Sequence, residues 1–331
     1  MIQNILIPVV ESSQVGEARR RAMDFASQLN FQETERGRVG IVVTEIAGNL
    51  IKHAQEGELL LRSLHIGDLN GLEILALDKG AGMENVGECL RDGFSTGGTP
   101  GTGLGSISRL ADFFDIYSIP SVGTAVVAHL WATPPPKNLV SLKIGAVNIP
   151  LASEQICGDA WAVIETDTGR QLVIVADGLG HGELAFEASA KAIRVAQENS
   201  QCSPQEILEL LHGSLRNTRG AAVAVAQLDF NQQLVLFAGV GNIAASIIAP
   251  ESRSMVSYNG IVGYQIHKIQ EFTYPFPPGA TLVLSSDGLA TGWRIDRYNG
   301  LIVKHPSLVA GVLYRDFKRL RDDVSVVVVR Q

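Results

Sequence analysis

Three consecutive prolines, Pro134-Pro135-Pro136, divide this chain more firmly than any other feature. None has a backbone N–H, so neither a helix nor a central strand can run through Thr133 to Asn138, and the stretch is held extended. The 331 residues therefore read as a domain over 1–133, a proline-rich linker over 134–139 and a second domain over 140–331. Either half is long enough to bury its own core. With 46% hydrophobic and 18% charged residues, the chain has folded rather than disordered composition.

The function classes narrow from the same composition. No run approaches the roughly 18 apolar residues that span a bilayer, and MIQNILIPVVESS has neither the basic start nor the cleavage signature of a signal peptide. No membrane association is expected. Cys89, Cys157 and Cys202 stand apart, as in a reducing compartment, so the expected location is cytoplasmic. Net charge is −7, and the Arg19-Arg20-Arg21 run falls on the polar face of a helical pattern, which argues against a nucleic-acid partner.

Before the prolines the pattern gives a strand at 5–9, helices at 15–29 and 33–54, and strands at 58–64 and 72–77. A glycine-rich loop, a helix at 104–111 and paired strands at 115–118 and 124–131 follow. The implied fold is α+β, with helices on one face of a mixed sheet. After the prolines, short apolar strands recur at 143–149, 160–165, 172–176, 221–228, 234–238, 244–248, 281–285 and 324–329. Helical patterns stand at 183–197, 204–216 and 307–317. So many short strands imply two packed sheets flanked by helices.

Three polar constellations interrupt the first half in order. Glu45, Asn49 and His53 recur every fourth residue and form one stripe along a helix. The Asn49 amide oxygen suits the hard-oxygen shell of Mg2+, and Glu45, one turn earlier, can accept a proton from an attacking hydroxyl. Asp78-Lys79-Gly80-Ala81-Gly82 puts a carboxylate at a strand end, able to accept from an exocyclic amine such as that of adenine. The glycines after it permit close backbone approach to a ligand. The third, residues 93–105, contains Gly101, Gly103 and Gly105 and opens into a helix, an arrangement whose N–H groups cradle phosphate.

In this order the segments resemble the N, G1 and G2 boxes of the GHKL ATPase/kinase superfamily. The short span and the leading helix look like its anti-sigma and switch protein kinases of the RsbT/RsbW type. The resemblance implies an N-terminal GHKL (Bergerat) ATP-binding α/β sandwich that takes ATP and Mg2+ and phosphorylates Ser or Thr of a small STAS-domain antagonist. Glu45 would be the base, Asn49 the Mg2+ ligand and Asp78 the adenine contact, with Gly80, Gly82, Gly101, Gly103 and Gly105 as nucleotide-binding backbone. Arg91 and Arg109 flank the loop and could offset phosphate charge.

The second half places acids at strand ends: Asp159 in Cys157-Gly158-Asp159, Asp177 in Asp177-Gly178-Leu179-Gly180-His181-Gly182, Asp287 in Ser286-Asp287-Gly288, and Asp322 in Asp322-Asp323. Such a set disfavours folding unless cations neutralise it, and carboxylates with a carbonyl suit Mg2+ or Mn2+ rather than zinc. The set looks like the metal-dependent type-2C phosphatase family in its SpoIIE/RsbX branch, which implies an αββα sandwich with two Mn2+ or Mg2+ ions. Asp177, Asp287 and Asp322 would bind through carboxylates, Gly178 through its carbonyl, and Asp159 directly or through water. His181 would be either the general acid or a structural residue of its turn.

Together the resemblances imply a bifunctional switch regulator acting on a STAS-type or stressosome-like partner in its phosphorylated and unphosphorylated forms. The alternative makes the first half a nucleotide-tuned anti-sigma or sensor module and only the phosphatase catalytic.

Overall fold

The computed structural model describes residues 3–90, 103–135, 143–167 and 169–331. The chain folds into two compact units whose limits do not follow the proline boundary alone. An amino-terminal unit comprises Asn4–Leu142 and Tyr298–Arg315; a carboxy-terminal unit holds Met1–Gln3, Lys143–Arg297 and Asp316–Gln331.

In the amino-terminal unit the chain forms β1 (Ile5–Pro8), α1 (Ser13–Gln28), α2 (Glu33–His53), β2 (Glu58–Ile66), β3 (Leu69–Leu77), α3 (Val86–Cys89), α4 (Gly103–Leu110), β4 (Phe113–Ile119) and β5 (Gly123–Trp131). The strands order as β1-β2-β3-β5-β4. Every pairing is antiparallel, where the sequence pattern suggests a mixed sheet. Helices between β3 and β4 suggest a parallel crossover, but β4 takes the outer edge and its hairpin returns β5 beside β3. Ala18, Ala22, Val39, Val43, Ile46 and Ile107 of the helices pack on Leu59, Leu61, Leu72, Ile74, Ala76 and Ala128 of one sheet face.

The carboxy-terminal unit adds β6 (Ile144–Ile149), β7 (Asp159–Glu165), β8 (Gln171–Gly178), α5 (Glu183–Glu198), α6 (Pro204–Ser214), β9 (Ala221–Asp229), β10 (Leu234–Val240) and β11 (Ala244–Ile248). Then come β12 (Arg253–Ser254), β13 (Gly260–Ile261), β14 (Gln265–Ile266), β15 (Phe272–Pro275), β16 (Thr281–Ser285) and β17 (Val324–Arg330). Two five-stranded sheets result, β15-β10-β9-β8-β7 and β12-β11-β16-β17-β6. Trp161, Val173, Val175, Phe237, Leu282, Leu284, Val327 and Val329 fill the layer between them. Helices α5 and α6 cover the outer face of the first sheet through Ala192, Ile207, Leu208 and Leu211. Ser203 and Glu206 cap the start of α6 reciprocally, with Pro204 in its first turn.

Among the described residues the remaining α-helix is α7 (Pro306–Phe317), which lies beyond the prolines in sequence yet mostly within the amino-terminal unit. It packs on the second face of that unit's sheet. Gly311 sits so close that a Cβ there would come 2.9 Å from Leu77 and 3.0 Å from Leu75. Among the described residues no helix is long and apolar enough to cross a membrane.

Candidate functional sites

The stripe on α2 meets the start of α4. A Cβ on Gly103 would lie 3.3 Å from Asn49 Oδ1 and 3.3 Å from Glu45 Oε2, so two segments more than fifty residues apart share one corner. The positive end of the α4 dipole faces Glu45 there. At the other end of α2, the Asp78 turn rests on the final carbonyls. A side chain on Gly80 would run into the His53 oxygen, and one on Gly82, at φ +68°, into the Ile119 oxygen. Glycine is required at both. Gly105 is buried within α4, Lys52 and His53 are exposed, and Arg109 donates to Ser106 on its own helix. Gly101, Arg91 and the loop of 93–102 lie outside the described residues.

Asp78 is held tightly. Its Oδ1 accepts from Gly80 N at 2.7 Å and Thr124 N at 3.2 Å, and its own N–H donates to the Thr124 carbonyl at 2.9 Å. Among the described residues no hydrogen bond engages Oδ2. Burial pushes the carboxyl up, against the two N–H bonds and the charges of Arg315 and His53.

In the carboxy-terminal unit the four acids converge as their spacing suggests. Asp159 opens β7 and Asp177 closes β8 as direct register partners, while Asp287 follows β16 and Asp322 precedes β17 on the facing sheet. Their charges are mutually felt. Burial raises the Asp177 carboxyl to about 9, with Asp159, Asp287, Asp322 and Asp323 adding to the rise. Burial likewise lifts Asp159 to about 7, offset in part by a Ser286 hydrogen bond and increased by Asp323. Asp159 is 3% exposed, and its buried Oδ2 has no partner among the described residues. Buried acids at this density, one with an orphaned oxygen, fit divalent cations. Gly178 cannot carry a side chain, because a Cβ would strike the Ala185 carbonyl at the first turn of α5.

Two residues here, Glu154 and Asn242, carried no motif, and Asp323 of the Asp322-Asp323 pair carried no assigned role. Glu154 Oε1 accepts from His181 Nδ1 at 2.7 Å, and its other oxygen lies 3.0 Å from where a Gly182 Cβ would stand. Asn242 Nδ2 donates to Asp287 Oδ2 at 2.7 Å. Asp323 accepts from Leu151 N and Gly158 N, so this second acid of the pair anchors the loop before β7 and leaves Asp322 facing the cluster. Only contact across long sequence separation reveals them, which no local pattern encodes.

Glu73, His129 and His305 form a further cluster, with ligand atoms all within 4.8 Å of one another. It is not suited to a cation. Arg62 binds both Glu73 oxygens at 2.9 Å, and His129 Nε2 and Ser307 Oγ also reach Oε2, so the carboxylate is already neutralised.

Comparison with known proteins matches the histidine kinase-like ATPase domain model over residues 9–129 and the stage II sporulation protein E (SpoIIE) model over 167–331. The serine/threonine-protein kinase RsbT of Bacillus subtilis (strain 168) is 32% identical over 114 residues, which are 34% of this chain and 86% of RsbT. The phosphoserine phosphatase RsbX of the same organism is 27% identical over 138 residues, 41% of this chain and 69% of RsbX. A chain from the solved structure "The bacterial stressosome: a modular system that has been adapted to control secondary messenger signaling" superposes with a TM-score of 0.54 at 30% identity. That match covers 58% of this chain and 100% of the other.

Proposed function

Because the chain belongs to the histidine kinase-like ATPase family through residues 9–129 and carries a SpoIIE phosphatase domain over 167–331, we propose that it is a bifunctional switch enzyme. It removes phosphate from phosphoserine or phosphothreonine in its second half and adds phosphate from ATP in its first. The observation that carries the phosphatase reading is the convergence of Asp159, Asp177, Asp287 and Asp322, with a buried Asp159 oxygen that lacks a partner. Asp177, Asp287 and Asp322 with the Gly178 carbonyl would hold two Mn2+ or Mg2+ ions, Asp159 acting directly or through water. Bound there, such ions supply an activated water and screen the leaving oxygen. Glu154 holds the Nδ1 proton of His181 and orients the ring, leaving Nε2 to exchange a proton with the departing serine or threonine oxygen.

The kinase reading draws its support from the α4 start lying against Glu45 and Asn49. Asn49 would ligate the Mg2+ of Mg-ATP, Asp78 would accept from the adenine amine, and Glu45 would take the proton of the acceptor hydroxyl. Similarity to RsbT and to a stressosome chain makes a STAS-domain protein the favoured acceptor, in a sigma-factor or stressosome-like circuit. A soluble protein in the cytoplasm suits that circuit.

Incubation of the full chain with candidate STAS proteins, first with Mg-ATP and then with Mn2+, tests both arms by mass. Phosphate should appear and then be removed. Asn49→Ala should abolish only the first step and Asp177→Asn only the second. Nucleotide binding without transfer, unchanged by Glu45→Ala, would instead support a nucleotide-tuned binding module beside a working phosphatase.

A further inference from the structure

The two central strands of the amino-terminal sheet are buried along both faces: β3 from Gly71 to Leu77 and β5 throughout. Side chains alternate across a sheet, so Leu72, Ile74 and Ala76 face the helices while Glu73, Leu75 and Leu77 face away. Tyr298–Arg315 packs on that second face. Lys304 Nζ and His305 N donate to the Asp115 carboxylate, Tyr117 OH donates to the Asn299 carbonyl, and Ser307 Oγ donates to buried Glu73. At the end of this segment Arg315, only 5% exposed, donates from Nη1 to the backbone carbonyl of Asp78 at 2.9 Å.

We propose that Arg315 is a positioning residue of the nucleotide site, so that the ATP-binding unit is assembled from both halves of the sequence. The proposal rests on reading Asp78 as the adenine contact. The peptide between Asp78 and Lys79 is fixed at both ends, its carbonyl by Arg315 and its N–H by the Gln55 carbonyl at 2.9 Å. Oδ1 is committed to Gly80 and Thr124, so the tilt of this peptide sets where Oδ2 points. A guanidinium bonded to a buried carbonyl is a charge-assisted donor, and its loss frees the turn to rotate. Residues 1–133 alone lack this donor and the apolar cover over Leu75 and Leu77.

Binding of fluorescent ATP and GTP analogues to the full chain reads the effect. Arg315→Met should weaken ATP about tenfold, the loss expected for one buried charge-assisted bond, and shrink the preference for ATP over GTP by a similar factor. Arg315→Lys, which keeps one cationic donor, should recover part of that preference. A global packing defect would weaken both nucleotides alike. Asp78→Asn separates the two levels of the argument. If it binds ATP as tightly as wild type, the adenine assignment itself fails. If it weakens ATP while Arg315→Met keeps the wild-type ratio, the role of Arg315 is overturned. Should Arg315→Met not fold, the ratio in Arg315→Lys decides, and an unchanged ratio again overturns the proposal.

Discussion

Asp177 sits where burial and four neighbouring carboxylates all oppose its charge, which is why its carboxyl rises to about 9. Folding concentrates this repulsion, and a divalent cation would offset it. Asp177→Asn should therefore reduce Mn2+-dependent phosphoserine hydrolysis by about a hundredfold or more. In chelator-treated protein the same change should raise the thermal midpoint, since the buried side chain no longer has to take up a proton to escape the repulsion of its neighbours. A chelated variant that melts below wild type would contradict the repulsion account. On the proposed mechanism Glu154 would act one step removed, through His181. With Glu154→Gln the His181 ring loses its anionic partner, and kcat should fall about tenfold with KM nearly unchanged. A change confined to KM would assign Glu154 to substrate binding instead.

Among the elements, β3 shows why parts of this molecule were legible and others not. Its run Leu72-Glu73-Ile74-Leu75-Ala76-Leu77 is buried on both faces and apolar but for Glu73, as only a strand covered twice can be, while the first 133 residues place helices on one face only. The second cover, α7, reads in sequence as one more helix of the phosphatase half, because amphipathic periodicity identifies a helix but not its destination. Strands, helices and the glycine turns were readable because each rests on local period and backbone freedom. The Glu73 network was not, since Arg62, His129 and Ser307 meet only after folding. Burial alone would raise the Glu73 carboxyl, but the Arg62 charge and the His129 hydrogen bond outweigh it and hold the group well below the usual carboxylate range. A depressed carboxyl contributes stability that is fully present above its unfolded value of 4.5 and is lost as pH falls from there toward the folded value. Amide exchange in β3 and β5 should accelerate as pH drops below about 4.5, after correction for intrinsic rates. Glu73→Gln should remove most of that slope and cost about 3 kcal/mol near neutral pH, because it leaves Arg62 buried without its counter-charge.

At the scale of the whole molecule, the chain leaves the carboxy-terminal unit after Arg297 and returns at Asp316. The excursion begins eleven residues after Asp287 and ends seven before Asp322, so it is spliced between two of the acids proposed to hold metal. Its exit is stiff. Two residues past Arg315, the Phe317 carbonyl accepts from Ala290 N at 2.9 Å, and Arg319 N donates to the Gly288 carbonyl at 2.7 Å, directly beside Asp287. If nucleotide binding shifts the Asp78 turn, the chain itself links Arg315 to Phe317, and coupling between two sites is typically worth about 1–3 kcal/mol. A saturating non-hydrolysable ATP analogue should accordingly change Mn2+-dependent hydrolysis of p-nitrophenyl phosphate by about fivefold in the full chain. The direction depends on which turn geometry nucleotide favours, but the effect should vanish in Asp78→Asn. The small substrate matters, because it needs no protein docking and so isolates the metal loop from competition for a shared partner. Equal rates with and without nucleotide would leave both activities standing and remove the link between them.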